Sequence, residues 1–188
     1  MIRVIKYLLS ALAIVFFMTG CTIKGENYIT DTNLMNELNN YDLNKVAIIP
    51  DKNNVSSKFN YKIELRGATM TSPYGSYTEY IAKSLTQQLS QNNLYDPTSE
   101  IIINVSLIKN ESDVWGFSEG NYNLIANFKI LKNEKIIYDD NIESRHSFPS
   151  HFVGQIAIEN AIKNYPIAIQ KLIYKFLSDK RVIKLLAK

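Results

Sequence analysis

The chain has 188 residues, a formal charge of +3 and a single cysteine. That length suits one domain able to build its own core without staples, and a lone cysteine excludes an internal disulfide or a thiolate metal cage. Setting aside Arg3 and Lys6 in the first twenty residues lowers the charge to +1, which leaves no electrostatic basis for binding nucleic acid.

Arg3 and Lys6 form a short positive segment, followed by the apolar run Tyr7 to Met18, broken only by Ser10. This is the layout of an export signal. The run has about twelve residues, well short of the roughly 20 that a spanning helix needs, so a cleaved signal is expected over residues 1–20. Met18-Thr19-Gly20-Cys21 resembles the lipobox of bacterial lipoproteins, with Met18 where Leu is usual. The resemblance implies cleavage before Cys21, a thioether-linked diacylglyceryl group on its sulfur and acylation of its new amino group. The alternative is an ordinary secretory signal that ends near a cysteine. Each buried methylene contributes ~0.8 kcal/mol, so one acyl chain anchors marginally and two or three hold stably. The expected partner is therefore the membrane, through acyl chains on Cys21. Thr22 follows the cysteine where Asp could stand, which in a Gram-negative source resembles an outer-membrane sorting signal and implies an outer-membrane lipoprotein facing the periplasm; in any other source the expected place is the extracytoplasmic face of the cell membrane.

Residues 21–44 are polar and rich in Asn, with scattered Leu34, Met35, Leu38 and Leu43 and no sustained period. They are expected as a flexible tether, with at most a helical turn at Leu34 to Leu38. The domain is placed at 45–188. Lys45 to Pro50 reads as a β-branched strand, 51–59 as a polar loop, and Tyr61 to Arg66 as a half-buried strand with Tyr61, Ile63 and Leu65 inward. Gly67 to Gly75 is turn material. Ser76 to Gln91 is the clearest helix: Ser76 and Glu79 have capping-box spacing, and Tyr77, Ile81, Leu85 and Leu89 repeat every four residues.

Glu100 to Asn110 is expected as a strand with Ile101, Ile103, Val105 and Leu107 inward. Asn121 to Leu131 alternates Tyr122, Leu124, Ala126, Phe128 and Ile130 against a polar face, as in an antiparallel sheet with one wet side. A tight turn at Lys132 to Glu134 then returns the chain as a strand over Lys135 to Arg145. Between about His151 and Leu177, Phe152, Ile156, Ala157, Ala161, Tyr165, Ala168, Leu172 and Phe176 form an apolar stripe, with Pro166 expected to kink or split the helix. Ser178 to Lys188 is expected as a frayed basic tail. The predicted architecture is α+β: two layers, a mainly antiparallel sheet backed by the Ser76–Gln91 helix and a long kinked C-terminal helix.

Gly116-Phe117-Ser118-Glu119-Gly120 spells G-x-S-x-G, and Asp139 or Asp140 and His146 or His151 follow in the order of an α/β-hydrolase triad. A nucleophile elbow must join a strand to a helix, yet here a strand follows, so loop glycines explain the string better. His146 and His151 lack a third ligand and read as surface or capping residues; no metal is expected. No phosphate-binding or cofactor motif is present. Val114-Trp115-Gly116-Phe117 puts two large aromatics in a loop, where Trp115 and Phe117 either contact a partner protein or the bilayer or fold back over a sheet edge.

The pieces Asn93-Leu94-Tyr95-Asp96-Pro97, Asn110-Glu111, Ile137-Tyr138-Asp139, Phe148-Pro149-Ser150 with Phe152-Val153-Gly154, and Asn164-Tyr165-Pro166 together resemble uncharacterised proteobacterial envelope lipoproteins. The helix followed by a meander resembles, more loosely, small outer-membrane lipoproteins of lipopolysaccharide assembly and of ABC transport systems. Such a likeness implies a fold more than a function. The expectation is a non-enzymatic accessory or scaffolding subunit of an envelope assembly or transport complex, with an envelope protein as partner and no cofactor. A lipid- or small-ligand-binding module, with its pocket between sheet and C-terminal helix, is the first alternative, and a serine hydrolase using Ser118 the second.

Overall fold

The computed structural model describes residues 21–51 and 57–188. The export signal and most of the polar loop before Phe59 lie outside the described residues. Two mixed sheets and a set of helices form an α+β fold. Strand β1 is Thr22–Lys24, helix α1 Thr32–Leu38, β2 Ala47–Pro50, α2 Ser57–Asn60, β3 Ile63–Leu65 and β4 Ala68–Thr71. Helix α3 is Tyr77–Gln91, and β5 (Ile101–Asp113), β6 (Glu119–Lys132) and β7 (Lys135–Pro149) form a long meander. Helix α4 is Gly154–Leu177 and α5 is Lys180–Leu186.

The main sheet runs β2-β5-β6-β7, with β5, β6 and β7 antiparallel and β2 parallel to β5. Alternation places the expected residues inward: Ile103, Val105, Leu107, Tyr122, Leu124, Ala126, Phe128 and Ile130 are all fully buried. A register shift at Leu107/Lys109 keeps the pattern in phase across β5 and β6. The β6–β7 turn has Asn133 and Glu134 at φ 51 and 63, the left-handed pair that a two-residue hairpin requires.

Helix α3 lies over β2 and β5, and α4 over β6 and β7. Ser76 Oγ accepts the Glu79 N–H at 3.1 Å, and the buried Asn60 side chain accepts the Thr78 N–H at 2.8 Å. Two of the orphan donors of the first turn are thereby satisfied. Four tyrosines meet beneath the helices: the Tyr165 ring contacts Tyr77, Tyr80 and Tyr122 edge-on at 5.1 to 5.5 Å. Each phenol finds an acceptor, such as Ala161 O for Tyr122 at 2.9 Å and Met70 O for Tyr77 at 2.9 Å, as burial of a hydroxyl demands. Phe128 stacks on Phe176 with centroids 4.1 Å apart.

The structure corrects several expectations. The expected tether is folded: Asp31 caps α1, Leu34 and Leu38 are buried, and the segment is tied to α3 by the fully buried Gln88. That amide accepts from the Tyr28 hydroxyl at 2.7 Å and the Asp31 N–H at 2.9 Å, and donates to Asp31 O at 2.9 Å. The apolar residues there are too few to show a period but enough to cover one face of α3. Gly67 to Gly75, expected as turn, contains β4, because Ala68 and Met70 alternate inward against β3. Tyr61 is exposed; only Ile63 and Leu65 enter the core. The basic tail forms α5, capped by Asp179, with Val182 and Leu186 buried. Helix α4 is one element through Pro166 and is not split. At its start the apolar stripe misleads, since Phe152 and Ile156 face outward.

Candidate functional site: the end of the domain that carries Cys21

Cys21 is exposed and lies at the root of β1. Its carbonyl accepts the Thr69 N–H at 2.9 Å, and Thr22 pairs with Thr69 in the parallel β1–β4 ladder. The cysteine is thus fixed to the rim of the small sheet by its own backbone.

Beside it, β3 turns into β4 through Arg66 and Gly67, at φ 46 and 84. This is again the two-residue left-handed turn, where glycine relieves the strain at one position. The turn aims the Arg66 guanidinium at two loops of the main sheet. One terminal nitrogen donates to His151 O at 2.7 Å and to Phe152 O at 3.3 Å, and the other to Gly116 O at 2.9 Å. The guanidinium carbon is 6.0 Å from the Trp115 ring centroid. Arg66 therefore ties the β5–β6 loop, the β7–α4 loop and the Cys21-bearing sheet into one end of the molecule.

That end displays aromatic side chains to solvent. Trp115 is 72%, Phe117 80% and Phe152 70% exposed, with Val153 and Ile156 also exposed beside Phe152. Trp115 does not fold back; Asp113 Oδ1 accepts its N–H at 3.0 Å and holds the loop outward. An open groove of about 750 Å³ adjoins Cys21, with Ile23, Ala68, Ile158 and Ile162 in its wall and Arg66 and Glu159 among its polar residues. The space expected for a ligand, between the main sheet and α4, is instead filled by the packed tyrosines and the Phe128–Phe176 stack.

The G-x-S-x-G string has a structural explanation. A Cβ on Gly116 would collide with the Glu119 carbonyl, and one on Gly120 would lie 2.7 Å from the Phe148 ring. Ser118 sits between two antiparallel strands, where its carbonyl accepts the Ser150 N–H at 2.9 Å; no helix follows it. The histidines serve elsewhere. His151 Nδ1 accepts the Val153 N–H at 3.0 Å. His146 Nε2 lies 3.0 Å from Asn164 Oδ1, and Asn164 Nδ2 donates to Asn160 O, so Oδ1 accepts and Nε2 carries the proton. Burial, opposed by that hydrogen bond and aided by the Lys171 charge, lowers the His146 pKa. Among the described residues, no group of three His, Cys, Asp or Glu could hold a metal ion.

A second surface is the outer face of the main sheet. Asn127 Nδ2 donates to Asp139 Oδ1 at 2.8 Å and to Asn141 Oδ1 at 3.0 Å, and Lys129 pairs with Asp139 at 3.7 Å. Among the described residues β2 and β7 are its edge strands, and Val46, just before β2, is bridged to Tyr95.

Of the predicted site residues, Cys21, Trp115 and Phe117 share one end of the domain. Arg66 and Phe152 escaped prediction. Phe152 continued the helical stripe in sequence, and nothing local distinguishes Arg66 from a strand-end cation. The aromatics and Cys21 meet only through contacts about 50 and 85 residues apart along the chain.

No family of known sequences and no curated protein matches this chain. Among solved structures, protein XCC0632 from Xanthomonas campestris, of family DUF330, has the same fold. The TM-score is 0.58 at 11% identity, covering 87% of this chain and 96% of that one. A candidate lipoprotein of Caulobacter crescentus CB15 matches at TM-score 0.47 and 10% identity, over 81% and 94% of the two chains. A minor lipoprotein of Acinetobacter baumannii matches at 0.45 and 12%, over 79% and 97%. No helix among the described residues is long and apolar enough to cross a membrane. The fold of this chain is thus one that it shares with a proteobacterial protein of family DUF330.

Proposed function

We propose that the protein is a non-enzymatic envelope lipoprotein, anchored through acyl chains on Cys21 to the outer membrane and facing the periplasm. There it acts as an accessory subunit of an envelope assembly or transport complex. The observation that carries this reading is the position of Cys21: the only cysteine in the chain is exposed at the rim of a folded sheet and open to modification. The polar outer face of the main sheet and its β2 and β7 edges offer a protein partner main-chain and side-chain hydrogen bonds.

Mass spectrometry of the N-terminal peptide from membrane-purified protein tests the anchor, with diacylglyceryl and acyl additions on Cys21 expected. A Cys21→Ala protein that still fractionates with membranes would contradict it. Mild crosslinking before detergent extraction tests the assembly; one stoichiometric envelope protein is expected, and an uncrosslinked monomer under several detergents would argue against a complex. The groove beside Cys21 favours a second reading, a lipid- or small-ligand-binding module. Native mass spectrometry that finds the protein empty after gentle extraction would remove it.

A further inference from the structure

The acylated cysteine proposed above has no slack. Thr22 is already paired with Thr69, and the Cys21 carbonyl is itself held by Thr69. One residue spans at most about 3.6 Å, so whatever Cys21 is attached to must lie against the surface around it. That surface is the end where Arg66 gathers the two loops that expose Trp115, Phe117 and Phe152. Large exposed aromatics gathered at one end of a domain are uncommon on a surface that meets only water. Trp, Phe and Tyr gain most at the boundary between headgroups and acyl chains, where an apolar ring can leave water while its polar neighbours stay wet.

From this we infer that Trp115, Phe117 and Phe152 form a membrane-docking surface that inserts into the interfacial layer of the leaflet holding Cys21. Docking clamps the domain in one orientation, with the β6–β7 turn at Asn133 directed away from the bilayer. Arg66 keeps both loops at the same level and places a cation beside Trp115, where lipid phosphate would meet it. The bilayer is favoured over a protein as occupant because the aromatic end and the attachment point coincide. A protein bound there would have to displace the membrane that the anchor holds against it.

The inference rests on acylation of Cys21, but its geometry can be tested without it. Trp115 is the only tryptophan in the chain, so its fluorescence reports the loop directly. Protein beginning at Cys21 is coupled through that exposed thiol to phosphatidylglycerol–phosphatidylethanolamine vesicles carrying a maleimide lipid. Blue-shifted Trp115 emission is expected, together with quenching by lipids brominated near the headgroup end of their chains. Quenching by aqueous iodide should fall roughly threefold or more relative to the free protein. In a Cys21→Ser, Asn133→Cys protein coupled through the opposite end, Trp115 should stay as accessible to iodide as in solution. Phe117→Ser with Phe152→Ser, both at exposed positions, should restore part of the iodide quenching in the Cys21-coupled protein. Unchanged iodide quenching after coupling through Cys21 would overturn the docking surface. An unmodified Cys21 in native membranes would instead sink the proposed anchor while leaving the vesicle result intact, so the two failures are distinguishable.

Discussion

Leu34→Ala separates a folded N-terminal segment from a tether. Leu34 is fully buried in α1 against α3. Truncation removes three carbons, and at ~0.8 kcal/mol each the lost transfer free energy is about 2.4 kcal/mol. The cavity left behind adds to this, which brings the expected loss to about 3 kcal/mol. For a domain of this size each kcal/mol lowers Tm by about 2–4 °C, so Tm should fall by roughly 6–12 °C. The assay is urea and thermal unfolding of protein with Cys21→Ser, which removes the proposed acylation site and keeps the domain. Ile29→Ala is the control: its side chain is 63% exposed in the same segment, and its effect should stay within about 0.5 kcal/mol. If Leu34→Ala costs less than about 1 kcal/mol, the segment is not part of the cooperative unit. The absence of slack at Cys21 would then lose its support.

Two further outcomes are expected. His146 is held neutral, with its folded pKa below the ordinary 6.5. The unfolded state therefore binds more protons as pH falls, so the stability contribution is complete above about 6.5 and is lost as pH drops toward the folded pKa. Unfolding free energies measured between pH 7.5 and 5 should decline, and His146→Gln should flatten that slope; an unchanged slope would refute the assignment. Gly120→Ala drives a Cβ into the Phe148 ring and to 3.0 Å from Asp113 O, so it should destabilise by about 1–3 kcal/mol. Ser118→Ala, two residues earlier in the loop before β6, should leave chemical denaturation unchanged, and a wild-type stability for Gly120→Ala would show that the glycine is not required by packing.

Alternation and helical spacing were sufficient for the meander and for α3. In these elements side-chain period equals backbone period, so Tyr122 to Ile130 and Tyr77 to Leu89 declare their inward faces locally. Short elements lack such redundancy. Three-residue β1 and β3, four-residue β4 and seven-residue α1 and α5 bury at most two apolar residues each. Their stability comes from the surfaces they cover rather than from propensity. Gln88 is the sharpest case: a glutamine on a helix reads as solvated, yet its amide is buried because the chain near Asp31 supplies both a donor and an acceptor.

The amino-acid sequence by itself determined the export-signal pattern, the lone cysteine in a lipobox-like context, the α+β class and the weakness of the G-x-S-x-G string as a catalytic motif. Those features are local, written in composition, spacing and the order of elements. Tertiary structure decided that the segment after Cys21 docks instead of swinging free, and that Cys21, Arg66 and the aromatic loops share one end. The physical reason is that a parallel pairing such as β1 with β4, and a guanidinium bonded to carbonyls about 50 and 85 residues away, are long-range contacts. Their cost in chain entropy is met only once the whole core has formed.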